Sequence, residues 1–374
     1  MALWNKEIGK TFIVAEIGQN HQGSLSTAKQ MIKAAKQCGA DCVKFQRSNL
    51  TEKFTADALA RPYVGPNSWG NTYGEHKAWL EFSITQYREL QRFASENDVA
   101  FTASAMDAAS FRELEEQLSV PFIKIGSGDA DNLPLLRYAA NRSVPLIIST
   151  GMQDWNHICT MYSMFRHRND VALLHCVSSY PTPAEDTMLR MIPLLRNQFP
   201  ALTFGYSGHE LGIQLSVASV GLGAQIIERH FTLDKSWKGT DHQASLNPAE
   251  FTRMVHCVRA LEAQPSRDSA SLIDRLKAVL DEEDFNERDL IVALKEVGVQ
   301  DRKLLDCERP CCDKLGKSLV YANDVHPGTV LTESDLGIKV SEPKGLSPRL
   351  YDSVVGKMVN HTAFKDKPVL ELHF

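Results

Sequence analysis

The sequence predicts a (β/α)8 TIM barrel followed by a small, β-rich C-terminal domain. Three observations support this fold class. Short apolar runs alternate with amphipathic stretches from Thr11 to about Leu261, as in barrels with parallel strands. The alternation stops after Ala263, where the texture of the sequence changes. The chain has 374 residues, enough for one domain of about 250 residues and a smaller one.

Eight apolar runs are the candidates for the barrel strands. They are FIVA at 12–15, CVKF at 42–45, AFTA at 100–103, FIKI at 122–125, PLII at 145–148, VALL at 171–174, TFGY at 203–206 and QIIE at 225–228. Helix-like segments, such as residues 26–37 and 86–96, separate most of them. Regular alternation predicts a parallel sheet, and eight units predict a closed barrel. An open doubly wound sheet is the alternative, but the glycines from Gly18 to Gly23 do not have the spacing of a dinucleotide fingerprint.

The C-terminal third divides into two further segments. We predict a barrel over residues 1–263, a charged helical linker over 264–313 and the small domain over 314–374. In this last segment, short β-like runs are broken by turns at 326–328 and 342–345. A domain of about 60 residues lies near the lower limit for independent stability. We therefore expect it to pack on the barrel or on a partner subunit.

Composition and charge exclude several classes of function. Apolar residues make up 43% of the chain, charged residues 23%, and the net charge is −5. This weakly acidic balance argues against general binding to nucleic acid or membrane surfaces, and no apolar run approaches the roughly 20 residues that span a bilayer. The start of the chain lacks the regions of a signal peptide. Eight scattered cysteines then indicate reduced thiols in a cytoplasmic protein; Cys307, Cys311 and Cys312 lack a second Cys/His pair at metal-binding spacing.

Polar residues stand at the C-terminal end of every predicted strand. In chain order they are Glu16, Lys44, Gln46, Thr102, Ser104, Lys124, Ser127, Ser149, Thr150, His175, Tyr180, Ser207, His209, Glu228 and His230. In a TIM barrel these strand ends meet at the face that carries the active site. Residues two apart on a strand face the same side. The pattern therefore predicts one shared polar cavity.

The lysines and hydroxyl residues of this set favour bound anions. A closed barrel has no edge strand for a lysine to protect, so a lysine within an apolar run needs an anionic partner. Lys44 and Lys124 meet this description. Ser127 lies between two glycines, and Ser149 begins the run STG; such residues form turns, but beside two lysines they favour a phosphate-binding cradle.

Two histidines are candidate ligands of a divalent cation. His209 and His230 end adjacent predicted strands, and Glu16, Glu228 and Asp241 provide carboxylates nearby. Imidazole nitrogens with carboxylate or water oxygens can hold such a cation. Buried histidines of a core are the alternative, and spacing alone leaves both possibilities open.

Seven short motifs resemble those of the N-acetylneuraminate synthases. They are AEIGQNHQG at 15–23, VKFQ at 43–46, KIGSG at 124–128, STGM at 149–152, YPTP at 180–183, GYSGH at 205–209 and ERHF at 228–231. The resemblance resumes from Leu315 as an antifreeze-like (SAF) domain. It implies a metal-dependent enzyme of sialic acid biosynthesis that condenses phosphoenolpyruvate with an N-acetylated hexosamine.

The resemblance also implies a role for each site residue. It assigns the carboxylate of phosphoenolpyruvate to Lys44, Ser104 and Lys124, the phosphate to Ser127, Ser149 and Ser207, the sugar and proton movement to Glu16, Gln46, Tyr180 and Asp241, and Mn2+ or Mg2+ to His209 and His230. We expect Glu228 to join the substrate-binding set. Glu16, Lys44, Lys124, His209 and His230 form the expected catalytic set, with Glu16 or a metal-bound water as the general base.

The stretch RPY at 61–63, SWG at 68–70 and TYGEHK at 72–77 is similar to the animal members. This similarity implies N-acetylmannosamine 6-phosphate as the acceptor and N-acetylneuraminate 9-phosphate as the product. Arg61, His76 and Lys77 are the candidate contacts to the 6-phosphate. A lid or a dimer surface is the alternative role for this stretch.

The chain departs from the bacterial members at three places. Ser178 replaces an asparagine two residues before the tyrosine, which weakens or reroutes a phosphate contact. Glu342 stands near the position of an SAF-domain arginine that reaches the sugar, and Lys344 is the candidate substitute. The linker is longer than expected. The resemblance still implies a homodimer in which the SAF domain caps the active site of the neighbouring subunit.

Three other functions stay open at this point. The first is a synthase of the same family that uses unphosphorylated N-acetylmannosamine. The second is another phosphoenolpyruvate-dependent barrel synthase that makes a 3-deoxy sugar acid. The third is a catalytically silent barrel that only binds sugar, but the presence of Lys44, Lys124 and both histidines disfavours it.

Overall fold

The computed structural model describes residues 2–5, 9–264 and 271–374. Its main body is a closed barrel of eight parallel strands in chain order, and the first strand pairs with the eighth. The strands are β1 (Phe12–Gly18), β2 (Cys42–Arg47), β3 (Ala100–Ala105), β4 (Ile123–Ile125), β5 (Leu146–Ser149), β6 (Val171–Cys176), β7 (Thr203–Gly208) and β8 (Ile226–His230). The predicted barrel is confirmed, and every observed strand starts at the predicted residue or one residue later.

Helices cover the outside of the barrel and continue into the linker. They are α1 (Leu25–Gln37), α2 (Leu50–Lys53), α3 (Ala56–Ala60), α4 (Tyr73–Leu80), α5 (Ile84–Glu96), α6 (Ala108–Arg112), α7 (Leu133–Ala140), α8 (Trp155–Phe165), α9 (Met191–Gln198), α10 (Gln214–Gly221), α11 (Pro248–Ala263), α12 (Leu272–Lys277), α13 (Glu287–Ala293) and α14 (Arg309–Leu315). Capping residues fix where several of them begin. Ser24 accepts a hydrogen bond at the start of α1, and Asn247 forms a capping box with Glu250 at the start of α11. None of the described helices is long and apolar enough to cross a membrane.

The barrel interior changes character along its axis. Near the N-terminal ends of the strands it is filled by apolar side chains, among them Val14, Phe122 and Ile147. Near the C-terminal ends the inward positions are polar, and Lys44, Lys124 and their neighbours replace the hydrocarbon core. Because the opposite faces of the same strands pack against the helices, the alternation along each strand leaves one polar chamber at one end of the barrel.

The linker packs closely on the barrel. Leu276 of α12 and Leu290 of α13 are buried in the main hydrophobic core. Further on, the side chains of Arg302 and Glu308 are both completely buried and form an ion pair of 3.3 Å. The first residues of the predicted linker, 265–270, lie outside the described residues.

The C-terminal domain has a small core of its own. It contains β9 (Ser318–Tyr321) and β10 (Leu336–Lys339), which pair antiparallel, and the short helix α15 (Tyr351–Val354). Leu319, Val325 and Val369 belong to its hydrophobic cluster. The prediction of a small β-rich domain is confirmed.

This domain docks on the barrel of its own chain in the structure. The Val340 N–H donates to the Lys53 carbonyl oxygen at 2.8 Å, and the Val340 carbonyl oxygen accepts from the Thr55 N–H at 3.0 Å. Lys317 forms a buried ion pair of 2.5 Å with Asp129. The single chain therefore places the C-terminal domain beside the strand ends of its own barrel. The resemblance instead implies docking beside the strand ends of the neighbouring subunit.

Candidate active site

A cavity of about 410 Å³ opens at the C-terminal ends of the strands. All eight strands contribute to its lining, as the sequence pattern predicts. The predicted site residues that line it are Glu16, Lys44, Gln46, Ser104, Lys124, Ser127, Ser149, Ser178, Tyr180, Ser207, His209, Glu228, His230 and Asp241. Six lysines and four carboxylates line the cavity, so it is cationic although the chain carries a net charge of −5.

Two lysines and two glutamates interlock at the bottom of the cavity. Lys44 Nζ lies 2.5 Å from Glu16 Oε2 and 3.6 Å from Glu228 Oε1. Lys124 Nζ lies 3.3 Å from the same Glu228 oxygen. All four side chains are buried, and Glu228 Oε2 is buried without a hydrogen-bond partner among the described residues. The sequence predicted that the lysines need anions, and the protein itself supplies two of them.

Each lysine also has a hydroxyl within reach. Lys44 Nζ donates to Ser104 Oγ at 3.0 Å, and Lys124 Nζ donates to Ser149 Oγ at 2.7 Å. Gln46 donates from Nε2 to Glu16 Oε1 at 2.8 Å, and Ser207 donates to Glu228 Oε1 at 3.1 Å. These contacts hold the charged groups in fixed positions, which is the preorganisation that anion binding needs.

Burial and charge act in opposite directions on the pKa of each group. Burial raises the pKa of Glu16, although Lys44 opposes this. Burial acts to raise the pKa of Glu228 as well, but Lys124 and Lys44 prevail and lower it to about 2. Burial acts to lower the pKa of Lys44, which Glu16 and Glu228 raise, whereas burial prevails at Lys124 and lowers its pKa. Glu228 is thus the fixed negative charge, and Glu16 is better suited to exchange a proton.

Hydroxyl groups converge beside Lys124, at the ends of β4, β5 and β6. A side chain at Gly151 would lie 2.2 Å from Ser178 Oγ and 2.6 Å from Ser127 Oγ, so this close approach requires glycine. The Gly151 N–H donates to Ser127 Oγ at 3.1 Å. The backbone N–H groups of Met152 and Ser178 donate to Glu308. A phosphate in this place would therefore meet hydroxyls and lysines rather than these backbone donors.

His209, His230 and Tyr180 form an aromatic wall opposite the serines. The Tyr180 and His209 ring centroids are 4.1 Å apart, and those of the two histidines are 5.4 Å apart. His209 Nδ1 bonds to the Val177 carbonyl oxygen at 2.9 Å, which leaves its Nε2 as the lone-pair nitrogen. His230 Nδ1 is buried without a hydrogen-bond partner among the described residues and lies 4.0 Å from Asp241 Oδ2.

These groups fit a divalent cation with an incomplete set of protein ligands. Burial lowers the pKa of His230 to about 3, so its imidazole is neutral and its orphan nitrogen can coordinate. The described residues contain no group of three or more His, Cys, Asp or Glu side chains arranged as a metal site. Two imidazoles, with Asp241 close by, would leave further positions to substrate or water.

A second group of lysines surrounds the opening of the cavity. Lys53, Lys77, Lys314 and Lys317 come from helix α2, helix α4, helix α14 and the start of the C-terminal domain. Lys317 is fully engaged, because it donates to Asp129 and to the Met106 carbonyl oxygen. The sequence pattern singled out only one member of this group, Lys77.

The comparisons with known proteins now decide the family. Residues 31–268 match the NeuB family, and residues 316–374 match the SAF domain. The chain belongs to the NeuB family. It is 48% identical to the N-acetylneuraminate-9-phosphate synthase of Drosophila melanogaster, over 98% of this chain and 96% of that protein. It is 46% identical to the human protein of the same name, over 96% and 91% of the two chains.

A solved structure of similar architecture supports the two-domain arrangement. The spore coat polysaccharide biosynthesis protein SpsE of Bacillus subtilis superposes with a TM-score of 0.69 at 26% identity. The superposition covers 96% of this chain and 94% of that one. The fold expected from the resemblance, a TIM barrel with an SAF domain, is therefore confirmed for this NeuB-family chain.

Some predicted positions lie outside the cavity. The Lys344 ammonium donates to the Gly316 carbonyl oxygen, and Lys344 does not line the cavity of this chain. His175 bonds to the Thr187 carbonyl oxygen at 2.7 Å instead of facing inward. Of the candidate 6-phosphate contacts, Arg61 stacks on Tyr73 and His76 packs among aromatic rings, so only Lys77 reaches the cavity.

Other cavity residues were missed from the sequence. On β6 the inward residue is Cys176, whose register partner is Ser207; since successive residues alternate, this excludes His175, one residue earlier. The strand alternation could have given this result. No sequence signal marks Lys53 or Lys314, because both reach the cavity from short helices that follow loops.

Proposed function

We propose that this NeuB-family protein condenses phosphoenolpyruvate with N-acetylmannosamine 6-phosphate and water to give N-acetylneuraminate 9-phosphate and phosphate. The main observation behind this proposal is that residues from the motifs shared with the N-acetylneuraminate synthases line one cationic cavity. The near full-length identity to two animal proteins named N-acetylneuraminate-9-phosphate synthase supports the same substrates. A cavity lined by more lysines than carboxylates has an excess of positive charge, which suits two anionic substrates.

The reaction forms one carbon–carbon bond and one carbon–oxygen bond to water, and it breaks the carbon–oxygen bond to phosphate. C3 of phosphoenolpyruvate attacks the aldehyde carbon of the open-chain sugar, which leaves cationic character at C2. Water adds at C2, and the bond from C2 to the phosphate oxygen breaks, so phosphate departs and a 2-keto acid remains. Of the two protons of this water, one ends on the former aldehyde oxygen and the other on the departing phosphate. We assign the proton of the attacking water to Glu16, because its pKa is raised by burial and its carboxylate lies at the bottom of the cavity.

Lysines and hydroxyls hold phosphoenolpyruvate in this scheme. Lys44, Ser104 and Lys124 bind its carboxylate. The phosphate binds to Ser127, Ser149, Ser178 and Ser207. The contact of Lys44 with Ser104 lies within the carboxylate set, and the contact of Lys124 with Ser149 joins the two sets, so the carboxylate and the phosphate of one substrate would bind side by side. Bringing two anions together against their repulsion is the main contribution of such a site.

The sugar occupies the side of the cavity formed by the aromatic wall. Gln46, Tyr180, Glu228 and Asp241 are its proposed contacts, and the unpaired Glu228 Oε2 supports a hydroxyl donor from the substrate. His209 and His230 would hold Mn2+ or Mg2+. When bound, this cation supplies Lewis acidity that polarises the aldehyde.

We further propose a cytoplasmic homodimer. All eight cysteines are free thiols, which supports a reducing compartment. In the proposed dimer, the SAF domain makes with the neighbour's barrel the same contacts that it makes with its own barrel in the single chain. Such an exchange keeps every contact and changes only the chain that provides it.

Phosphate release with two sugars tests the proposed reaction. The purified protein is supplied with phosphoenolpyruvate and either N-acetylmannosamine 6-phosphate or the unphosphorylated sugar, and the product mass is measured. We expect a nine-carbon acid phosphate, a higher kcat/KM for the phosphorylated sugar, and loss of turnover with a chelator that Mn2+ or Mg2+ restores. A higher kcat/KM for the free sugar would overturn the assigned acceptor, and turnover only with aldopentose or tetrose phosphates would indicate the other synthase class.

A further inference from the structure

Three lysines at the opening of the cavity form a second cationic cluster, separate from the Lys44 and Lys124 centre. Lys53 is the last residue of α2, Lys77 lies on α4, and Lys314 lies on α14. We call this set the rim lysines. Three separate segments of the chain therefore deliver positive charge to one place, where like charges repel unless an anion separates them.

The rim lysines lack the carboxylate partners that the inner lysines have. Within the described part of the chain, Lys53 and Lys314 form no ion pair and no side-chain hydrogen bond. Lys77 donates only to the neutral Gln19 Oε1, at 2.7 Å. Lys53 is nevertheless only 4% exposed and lines the cavity, and the contact of its ammonium is with the Phe54 ring, 5.1 Å from the centroid. A buried ammonium without a counter-ion is costly, which indicates that a ligand supplies the charge.

The surroundings of the rim lysines are also cationic. Burial lowers the pKa of Lys53 to about 8, and the charges of Lys77 and Lys317 add to this effect. Tyr73 and Asp129 act in the opposite direction. Burial lowers the pKa of Lys77 to about 8, with Lys314 and Arg61 acting the same way and Asp241 and Glu81 against. At Lys314 burial also acts to lower the pKa, but Tyr73 and Asp241 prevail and raise it. Lys53 and Lys77 are therefore the members that lack a compensating negative charge.

From this arrangement we infer that the rim lysines Lys53, Lys77 and Lys314 bind the phosphate monoester of the acceptor sugar. The inference rests on the proposed function for the identity of the sugar. A phosphate dianion satisfies several ammonium groups at once. The inner lysines Lys44 and Lys124 are assigned to phosphoenolpyruvate, so the rim is where the phosphate of the sugar finds ammonium groups without a carboxylate partner. Arg61 and His76, the other predicted contacts to the 6-phosphate, do not line the cavity and are not part of this binding site.

Charge-removing substitutions test the rim. Lys53→Met and Lys314→Met keep most of the side-chain length, and Lys33→Met, on the exposed face of α1, is the matched control. With saturating phosphoenolpyruvate, kcat/KM is measured for phosphorylated and unphosphorylated N-acetylmannosamine. We expect the ratio of the two values to fall about 10- to 100-fold for each rim variant and to stay constant for Lys33→Met.

A second measurement separates this inference from the proposed reaction. Calorimetry measures binding of N-acetylmannosamine 6-phosphate to the full-length protein without turnover, and a melting curve of each variant reports folding. Weaker binding of the sugar phosphate, with an unchanged or higher melting temperature, supports the rim even if no product forms. An equal loss with both sugars, or unchanged binding in both rim variants, would refute it.

Discussion

The six cavity lysines are sorted by their partners. Lys44 and Lys124 sit among carboxylates and hydroxyls, and Lys317 is paired with Asp129. Lys53, Lys77 and Lys314 have no partner of opposite charge within ion-pair distance in the described ranges. The paired lysines keep their positions when a bound anion leaves, because carboxylates and hydroxyls of the protein hold them. The unpaired lysines depend on a ligand for their charge balance.

The pH dependence of the Michaelis constant follows from this difference. The pKa values of Lys53 and Lys77 are lowered to about 8, so both lose their charge as the pH rises through this value. The sugar phosphate stays a dianion there, because its second pKa is about 6. We expect KM for the phosphorylated sugar to rise above about pH 8, while KM for the unphosphorylated sugar stays level in initial-rate assays. Parallel profiles for both sugars would show that the rim does not contact the phosphate.

At the scale of elements, the strands were predictable and the linker contacts were not. Each strand follows from a local apolar run, and strand alternation explains why Lys44, Gln46, Glu228 and His230 face inward. The error at His175 came from ignoring that alternation on β6. Residues from the linker reach the site through long-range packing, which no local pattern specifies.

The buried pair of Arg302 and Glu308 shows what the linker does for the site. Glu308 Oε1 accepts from the backbone N–H groups of Met152 at 2.7 Å and Ser178 at 2.9 Å. Arg302 donates to the carbonyl oxygens of Thr150 and Cys176. One linker segment thereby ties the ends of β5 and β6 together, and these ends carry Ser149 and Ser178, two of the four serines of the proposed phosphate site.

Removing one member of this pair is expected to be costly. Glu308→Ala leaves the Arg302 charge buried, and we expect the free energy of unfolding to fall by about 3–5 kcal/mol. The exposed pair of Asp306 and Arg309 provides the control, and Asp306→Ala is expected to cost less than about 0.5 kcal/mol. Urea denaturation measures both. Equal losses would mean that the buried pair does not fasten the two strand ends.

At the scale of the whole molecule, a weakly acidic chain brings six of its 21 lysines to one cavity. The fold class and nearly all inner site residues could be predicted, because the barrel brings all strand ends to one face whatever the helices do. Lys344, Lys53 and Lys314 could not, because their positions depend on how the SAF domain, the short helix α2 and the linker dock; Lys77 was among the predicted 6-phosphate contacts. That docking is a tertiary property without a local signature.

Subunit mixing tests the proposed exchange of SAF domains. We expect light scattering to give twice the chain mass of 41.7 kDa. A mixture of Lys124→Met and Lys314→Met subunits should regain phosphate release, because one site of each mixed dimer then carries no substitution. A monomer, or a mixture no more active than its components, would show that each SAF domain serves its own barrel.

The most direct test of the inner site is equilibrium binding of phosphoenolpyruvate without sugar. Lys124 is buried between Ser149 and Glu228, where the carboxylate of phosphoenolpyruvate is proposed to bind. We expect the Kd of phosphoenolpyruvate to rise at least about 30-fold in Lys124→Met, with Lys33→Met unchanged and both variants folded by their melting curves. An unchanged Kd in folded Lys124→Met would contradict the claim that the barrel mouth grips phosphoenolpyruvate through its buried lysines.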